Sequence, residues 1–171
     1  ASQQSRQAVR HAIRSNPTAQ IIVTGCYAQV EPEILSQIPG VDTVVGHDEK
    51  LSIPEKILSD PDTGAGPVFS TDTAFIDYSQ NFSSDRTRPF LKIQDGCDAY
   101  CTYCIVPYAR GQSRSMPVAE VMGNLRLLKR AGYREVVLTG IHLGRYGLDL
   151  GPQKTCLTDL LNLVENSEII D

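Results

Sequence analysis

Gly96-Cys97-Asp98-Ala99-Tyr100-Cys101-Thr102-Tyr103-Cys104 places three cysteines at intervals of four and three residues, directly after a short apolar run. Soft thiolates favour iron-sulfur clusters, zinc or cuprous ions over magnesium or calcium. Closed structural zinc sites usually draw on four protein ligands, commonly as two short-spaced pairs. Here the local set stops at three, and the nearest histidine in sequence, His142, belongs to a different predicted element. A cubane iron-sulfur cluster has four irons, so three thiolates leave one iron open to another ligand. The interval from Cys101 to Cys104 fits a bacterial ferredoxin run, but that from Cys97 to Cys101 does not.

Outward from this loop the pattern is an alternation of strands and helices. Residues 89–94 read as a strand that delivers the chain to the cysteines. Val118, Val121, Met122, Leu125 and Leu128 recur at helical spacing over residues 117–131, with Gly132 as a stop signal. Residues 135–139 form an apolar strand, 140–151 a glycine-rich loop, and 157–164 the next helix. These are two βα units of a larger α/β barrel, a fold that places chemistry on the loops following its strands. Both the cysteine loop and the loop from Gly140 to Gly147 fall there.

Upstream, residues 2–15 predict a helix with Ala8, Val9, Ala12 and Ile13 on one side, stopped by Asn16-Pro17. Residues 19–24 read as a buried strand ending at Gly25-Cys26, followed by a helix over 31–37 with Pro32 in its first turn. A strand over 41–45 and a helix over 53–58 complete a small parallel α/β unit. Cys26 then sits at the C-terminal end of a parallel strand, where open α/β sheets place ligands, although a lone cysteine there also serves as a small buried hydrophobe. Residues 59–88, rich in Asp, Gly, Pro, Ser and Thr, read as an interdomain linker. The fold class is α/β throughout, with domains over 1–58 and 89–171.

The 171 residues suffice to bury a core, and no apolar run approaches the length of a membrane span. Residues 1–14 are polar with scattered arginines and lack the apolar segment of a signal peptide. Five cysteines, three of them crowded, suit metal ligation in a reducing cytoplasmic compartment better than disulfides. A formal charge of −4 argues against a dedicated nucleic-acid-binding surface, though not against a local basic patch. Arg86, Arg88, Arg110 and Arg114 flank the cysteine loop and are candidates to meet RNA phosphates. His142 is a candidate ligand or acid-base group, or merely polar surface, and Cys156 reads as structural at a helix start.

The C-x3-C-x2-C arrangement followed by Ile105-Val106-Pro107-Tyr108-Ala109-Arg110-Gly111 resembles the radical S-adenosylmethionine (SAM) methylthiotransferase family. The resemblance implies a 4Fe-4S cluster on Cys97, Cys101 and Cys104 whose open iron is chelated by SAM. An electron from that cluster would release methionine and a 5′-deoxyadenosyl radical able to abstract hydrogen from an unactivated carbon. Val23-Thr24-Gly25-Cys26-Tyr27-Ala28-Gln29 is similar to the family's N-terminal domain around the third cysteine of a second, auxiliary 4Fe-4S cluster that delivers sulfur. A second SAM would supply the methyl group.

Further expectations follow from the same resemblance. Residues 1–58 would be the later part of the auxiliary-cluster domain, its other two cysteines lying upstream of Ala1. Residues 89–171 would be the first part of a radical SAM partial barrel, and the fragment alone would be inactive. Tyr103 would pack near the SAM adenine, with ordinary core packing as the alternative. Gly140 would let backbone approach SAM, with a strand-end turn as the alternative. The loop Leu138-Thr139-Gly140-Ile141-His142-Leu143-Gly144-Arg145-Tyr146-Gly147-Leu148-Asp149-Leu150 resembles the branch that modifies N(6)-threonylcarbamoyladenosine at position 37 of tRNA. The partners implied are a tRNA anticodon loop, an electron donor and a sulfur donor, with no membrane. The alternatives are another methylthiotransferase branch, acting on isopentenyladenosine tRNA or a ribosomal-protein aspartate, or a non-catalytic iron-sulfur or zinc module.

Overall fold

A computed structural model describes residues 2–46, 49, 50, 53, 54, 87–151, 155–167 and 169. Two compact units divide the chain, and each is built around its own parallel strand pair. Most of the expected linker over 59–88 and most of the expected helix over 53–58 lie outside the described residues.

In the first unit, helix α1 (Ser2–Ser15) is followed by strand β1 (Ile22–Thr24), helices α2 (Cys26–Val30) and α3 (Pro32–Ser36), and strand β2 (Thr43–Val45). β1 and β2 pair in parallel, with Ile22 opposite Thr43 and Thr24 opposite Val45. Ala28, Leu35 and Ile38 form a small core against which Val9 and Ile13 of α1 pack. Val9 and Ile13 are four residues apart and share one stripe of the helix, whereas Ala8 and Ala12, expected beside them, are exposed. The run Ile21-Ile22-Val23, expected to be buried, is only half-buried. Among the described residues this sheet has two strands, so each is an edge.

The second unit opens with strand β3 (Phe90–Lys92), which pairs in parallel with β6 (Val137–Thr139). The expected single strand over 89–94 is in fact two. Ile93 donates its N–H to Thr139 O at 2.9 Å, while its own carbonyl accepts from Met116 N at 2.8 Å. The backbone thus passes from one pairing partner to another, and Gln94–Asp95 (β4) pairs antiparallel with Arg114–Ser115 (β5). Between them lie the cysteine loop and a short helix, α4 (Val106–Arg110).

Helix α5 (Val118–Arg130) buries Val121, Leu125 and Leu128 along one stripe, with Glu120 in its first turn and Lys129 and Arg130 in its last, the arrangement its dipole favours. A 3-10 turn (Leu143–Arg145) and helix α6 (Leu157–Asn166) follow β6. Cys156 stands at the N-cap of α6, as its sequence position suggests, and its N–H donates to Asp159 Oδ2 at 2.9 Å. Hydrogen bonds from Cys156, side chain first and backbone second, hold the Asp159 carboxyl below its ordinary value. Among the described residues, no helix is long and apolar enough to cross a membrane.

Leu91, Ile93, Met116, Leu125, Tyr146 and Leu160 belong to one core cluster of the second unit. Tyr146 is 1% exposed, and its hydroxyl donates to Met116 O at 2.8 Å. Burial, and secondarily the negative charge of Asp149, push its pKa from 10.0 to about 12. Tyr146→Phe leaves the Met116 carbonyl without this donor and is expected to destabilise the second unit by about 1–3 kcal/mol, measured by urea unfolding. In the parent chain, the unfolded tyrosine ionises near pH 10 and the folded one near 12. The hydroxyl's contribution is therefore whole below pH 10 and is lost as pH rises towards 12, so the Phe variant should lack that part of the alkaline decline.

Candidate metal and cofactor site

The cysteine loop begins where β4 ends, and its first turn is fixed by buried polar groups. Gly96 has φ 71° and its N–H donates to Asp95 Oδ1 at 2.9 Å. A Cβ on Gly96 would overlap the backbone carbonyl oxygen of Gln112. Cys97 N donates to Gly111 O at 3.1 Å, Asp98 Oδ1 accepts from Ser113 N at 3.1 Å, and Cys104 N donates to Cys101 O at 2.9 Å. The two limbs of the loop are thereby stitched together across the segment from Gly111 to Ser113.

Cys97 is buried, Cys104 half-buried and Cys101 exposed, and all three are free thiols. Among the described residues, no three His, Cys, Asp or Glu side chains converge as a metal-holding group. The donor set nevertheless fits a soft metal centre: three reduced thiols on one anchored loop, graded from the core to the surface. Beside them, Tyr100, Tyr103 and Ile105 are exposed, and Tyr100 holds a positive φ of 44°.

Two side chains in front of the loop were not singled out by their sequence. Gln94 is fully buried, and its amide Nε2 donates to Asp95 O at 3.1 Å, Gly96 O at 2.9 Å and Ser113 Oγ at 3.0 Å. Its Oε1 accepts from His142 N at 2.8 Å. Asp95, 1% exposed, meets Lys92 Nζ at 2.6 Å and lies 4.0 Å from Arg114 Nη2. The parallel pairing of β3 with β6 brings His142 alongside, its Nδ1 4.0 Å from Cys97 Sγ.

The sequence model of the Radical SAM superfamily matches residues 91–144, from β3 through the cysteine loop to the loop after β6. The chain is 40% identical over 176 residues to a threonylcarbamoyladenosine tRNA methylthiotransferase MtaB of Aquifex aeolicus, covering 97% of this chain and 42% of that protein. It is 44% identical over 155 residues to the protein of the same name from Bacillus subtilis, covering 85% of this chain and 33% of that one. The chain carries a Radical SAM superfamily segment and is similar along most of its length to methylthiotransferases. A ribosomal protein uS12 methylthiotransferase RimO of Acetivibrio thermocellus is 36% identical over 161 residues, covering 88% of this chain and 35% of that protein. The chain thus spans less than half the length of the curated relatives it matches.

Other positions that the methylthiotransferase resemblance points to are distributed unevenly. Tyr103 is 90% exposed, so core packing is not its role. Gly140 follows β6, where a Cβ would come within 2.8 Å of Leu143 Cδ2 and 2.9 Å of Gln94 Oε1. The room that glycine leaves is therefore filled by Gln94, the side chain that fastens both loops. Cys26 is half-buried at the first position of α2, directly after β1, in the other unit. Arg88 pairs with Glu135 at 3.6 Å and Arg114 turns towards buried Asp95, so both have protein partners, while Arg86 lies outside the described residues.

Proposed function

We propose that this chain is part of a tRNA methylthiotransferase that places a methylthio group at C2 of N(6)-threonylcarbamoyladenosine at position 37 of tRNA. The observation that carries the substrate is the higher identity to relatives named for threonylcarbamoyladenosine, 38–44% against 36% for the uS12 enzyme. The loop from Leu138 to Leu150 supports the same branch.

Cys97, Cys101 and Cys104 hold one 4Fe-4S cluster, and Cys26 contributes one ligand to an auxiliary cluster. When bound, the first cluster supplies the electron for reductive cleavage of SAM. The chain's own residues hold and shield that centre. Gly96 lets the loop turn away from β4, the Asp95 carboxylate fixes the Gly96 N–H, and buried Cys97 keeps one side of the site from water. Tyr103 would offer an exposed ring to the SAM adenine, a stacking role suited to a large, solvent-facing aromatic, and Gly140, which leaves room for the Gln94 side chain, would let backbone approach SAM. An electron donor and a sulfur donor complete the cycle, and a tRNA substrate places the enzyme in the cytoplasm.

The test is complementation with the whole protein in a bacterium lacking its own enzyme for this modification, followed by mass spectrometry of tRNA nucleosides. The expected product is the 2-methylthio derivative of threonylcarbamoyladenosine. Methylthiolation of isopentenyladenosine or of a ribosomal protein in its place would reassign the branch.

A further inference from the structure

We infer that His142 donates a hydrogen bond from its imidazole to the Cys97 sulfur and so tunes the centre held by the three cysteines. This rests on the cluster assignment above. The ring is carried by the loop after β6, yet its Nδ1 faces Cys97 Sγ at 4.0 Å across 45 residues of sequence. A thiolate sulfur only accepts, so the nitrogen facing it carries the proton.

The placement of the ring is built into the fold. His142 N–H is held by Gln94 Oε1 at 2.8 Å, while Gln94 Nε2 is held by Gly96 O and Ser113 Oγ. Acceptors on one side and an N–H donor on the other fix the orientation of the Gln94 amide. The same buried side chain therefore sets the backbone just before Cys97 and the backbone of His142. Gly140, whose Cβ would come within 2.9 Å of Gln94 Oε1, keeps this clasp possible. Ion pairing does not account for the ring's position: the salt bridges of Lys92 and Arg114 beside the loop go to Asp95 and not to the imidazole.

Hydrogen bonds to ligand sulfur stabilise the more negative, reduced cluster and raise its reduction potential. The experiment uses the anaerobically reconstituted holoenzyme and follows the EPR signal that responds to added SAM during a redox titration. His142→Leu is expected to retain parental iron and sulfide content while the midpoint potential of that signal becomes more negative. His142→Gln, which retains an N–H donor, should recover part of the shift. An unchanged potential in His142→Leu, with the cluster intact, would overturn the inference alone. Loss of iron from His142→Leu would overturn it too, by making the imidazole a ligand. Absence of any SAM-responsive cluster in the parent protein would remove the cluster assignment along with it.

Discussion

Cys101→Ala is expected to abolish SAM cleavage in the whole protein while leaving the fold of this unit intact. Cys101 is exposed, so its removal creates no cavity, and an exposed substitution of this kind changes stability by about 0.5 kcal/mol or less. Its thiolate is one of only three in the loop, and under the proposed assignment its loss would leave a second iron of the cluster without a protein donor. Partners outside the ligand set already alter metal affinity or activity by roughly 10–100-fold, so loss of a ligand should exceed that range. Cys156→Ala is the matched control, since Cys156 is also an exposed free cysteine but lies at the start of α6. The measurements are iron content, 5′-deoxyadenosine release and urea unfolding of each variant. Parental SAM cleavage in Cys101→Ala would sink the assignment, and stoichiometric zinc without iron-sulfur absorption in the parent would favour a structural metal module.

Gly96→Ala is expected to be severely damaging for a change of a single methyl group. With φ at 71°, any L-residue enters a region that disfavours a Cβ by roughly 1–2 kcal/mol. The new carbon would also overlap the Gln112 carbonyl oxygen, which is backbone and has no rotamer by which to withdraw. The two limbs must separate, breaking the bond from Cys97 N to Gly111 O and displacing Cys97 from its buried place. A total loss of about 3–5 kcal/mol is expected, near the upper end for single substitutions, together with loss of most of the bound iron. Gly123→Ala should act in the opposite direction. Gly123 lies inside α5, a Cβ there meets nothing within 4 Å, and alanine in a helix interior gains up to about 1 kcal/mol over glycine. Thermal unfolding of the two variants measures both signs, and an iron content in Gly96→Ala equal to the parent's would refute the steric argument.

The features legible in the sequence were those written in local patterns. The stripe of Val121, Leu125 and Leu128 announced α5, and the apolar runs announced β3 and β6. The three-cysteine spacing placed the loop between strand and helix. What escaped was written in partners far along the chain. Gln94 reads only as the end of the strand over 89–94, because nothing nearby reveals that Ser113, Arg114 and His142 close over Gln94-Asp95-Gly96. Likewise, Arg114 resembles a surface cation until Asp95 is seen to be buried beside it. The five-residue helices α2 and α4 are too short to show a helical period, and only their tertiary setting holds them. In the first unit the local pattern misled in one respect: Ala8 and Ala12 share helical spacing with the stripe, but only Val9 and Ile13 supply the bulk that packs.

The Gln94 clasp makes the order of the cysteine loop a late event in the life of the chain. Its partner His142 is 48 residues further on, so during synthesis the three thiols leave the ribosome before the strand that steadies them exists. Closing so long a loop carries an entropic penalty that local turns do not, and the reward comes only when β6 docks beside β3. Iron and sulfide that arrive earlier meet a flexible trio of reactive thiols. Under the proposed cluster assignment, metal loading would be tied to the completion of a non-local sheet, and the interval before that sheet forms would be when these cysteines are most open to oxidation.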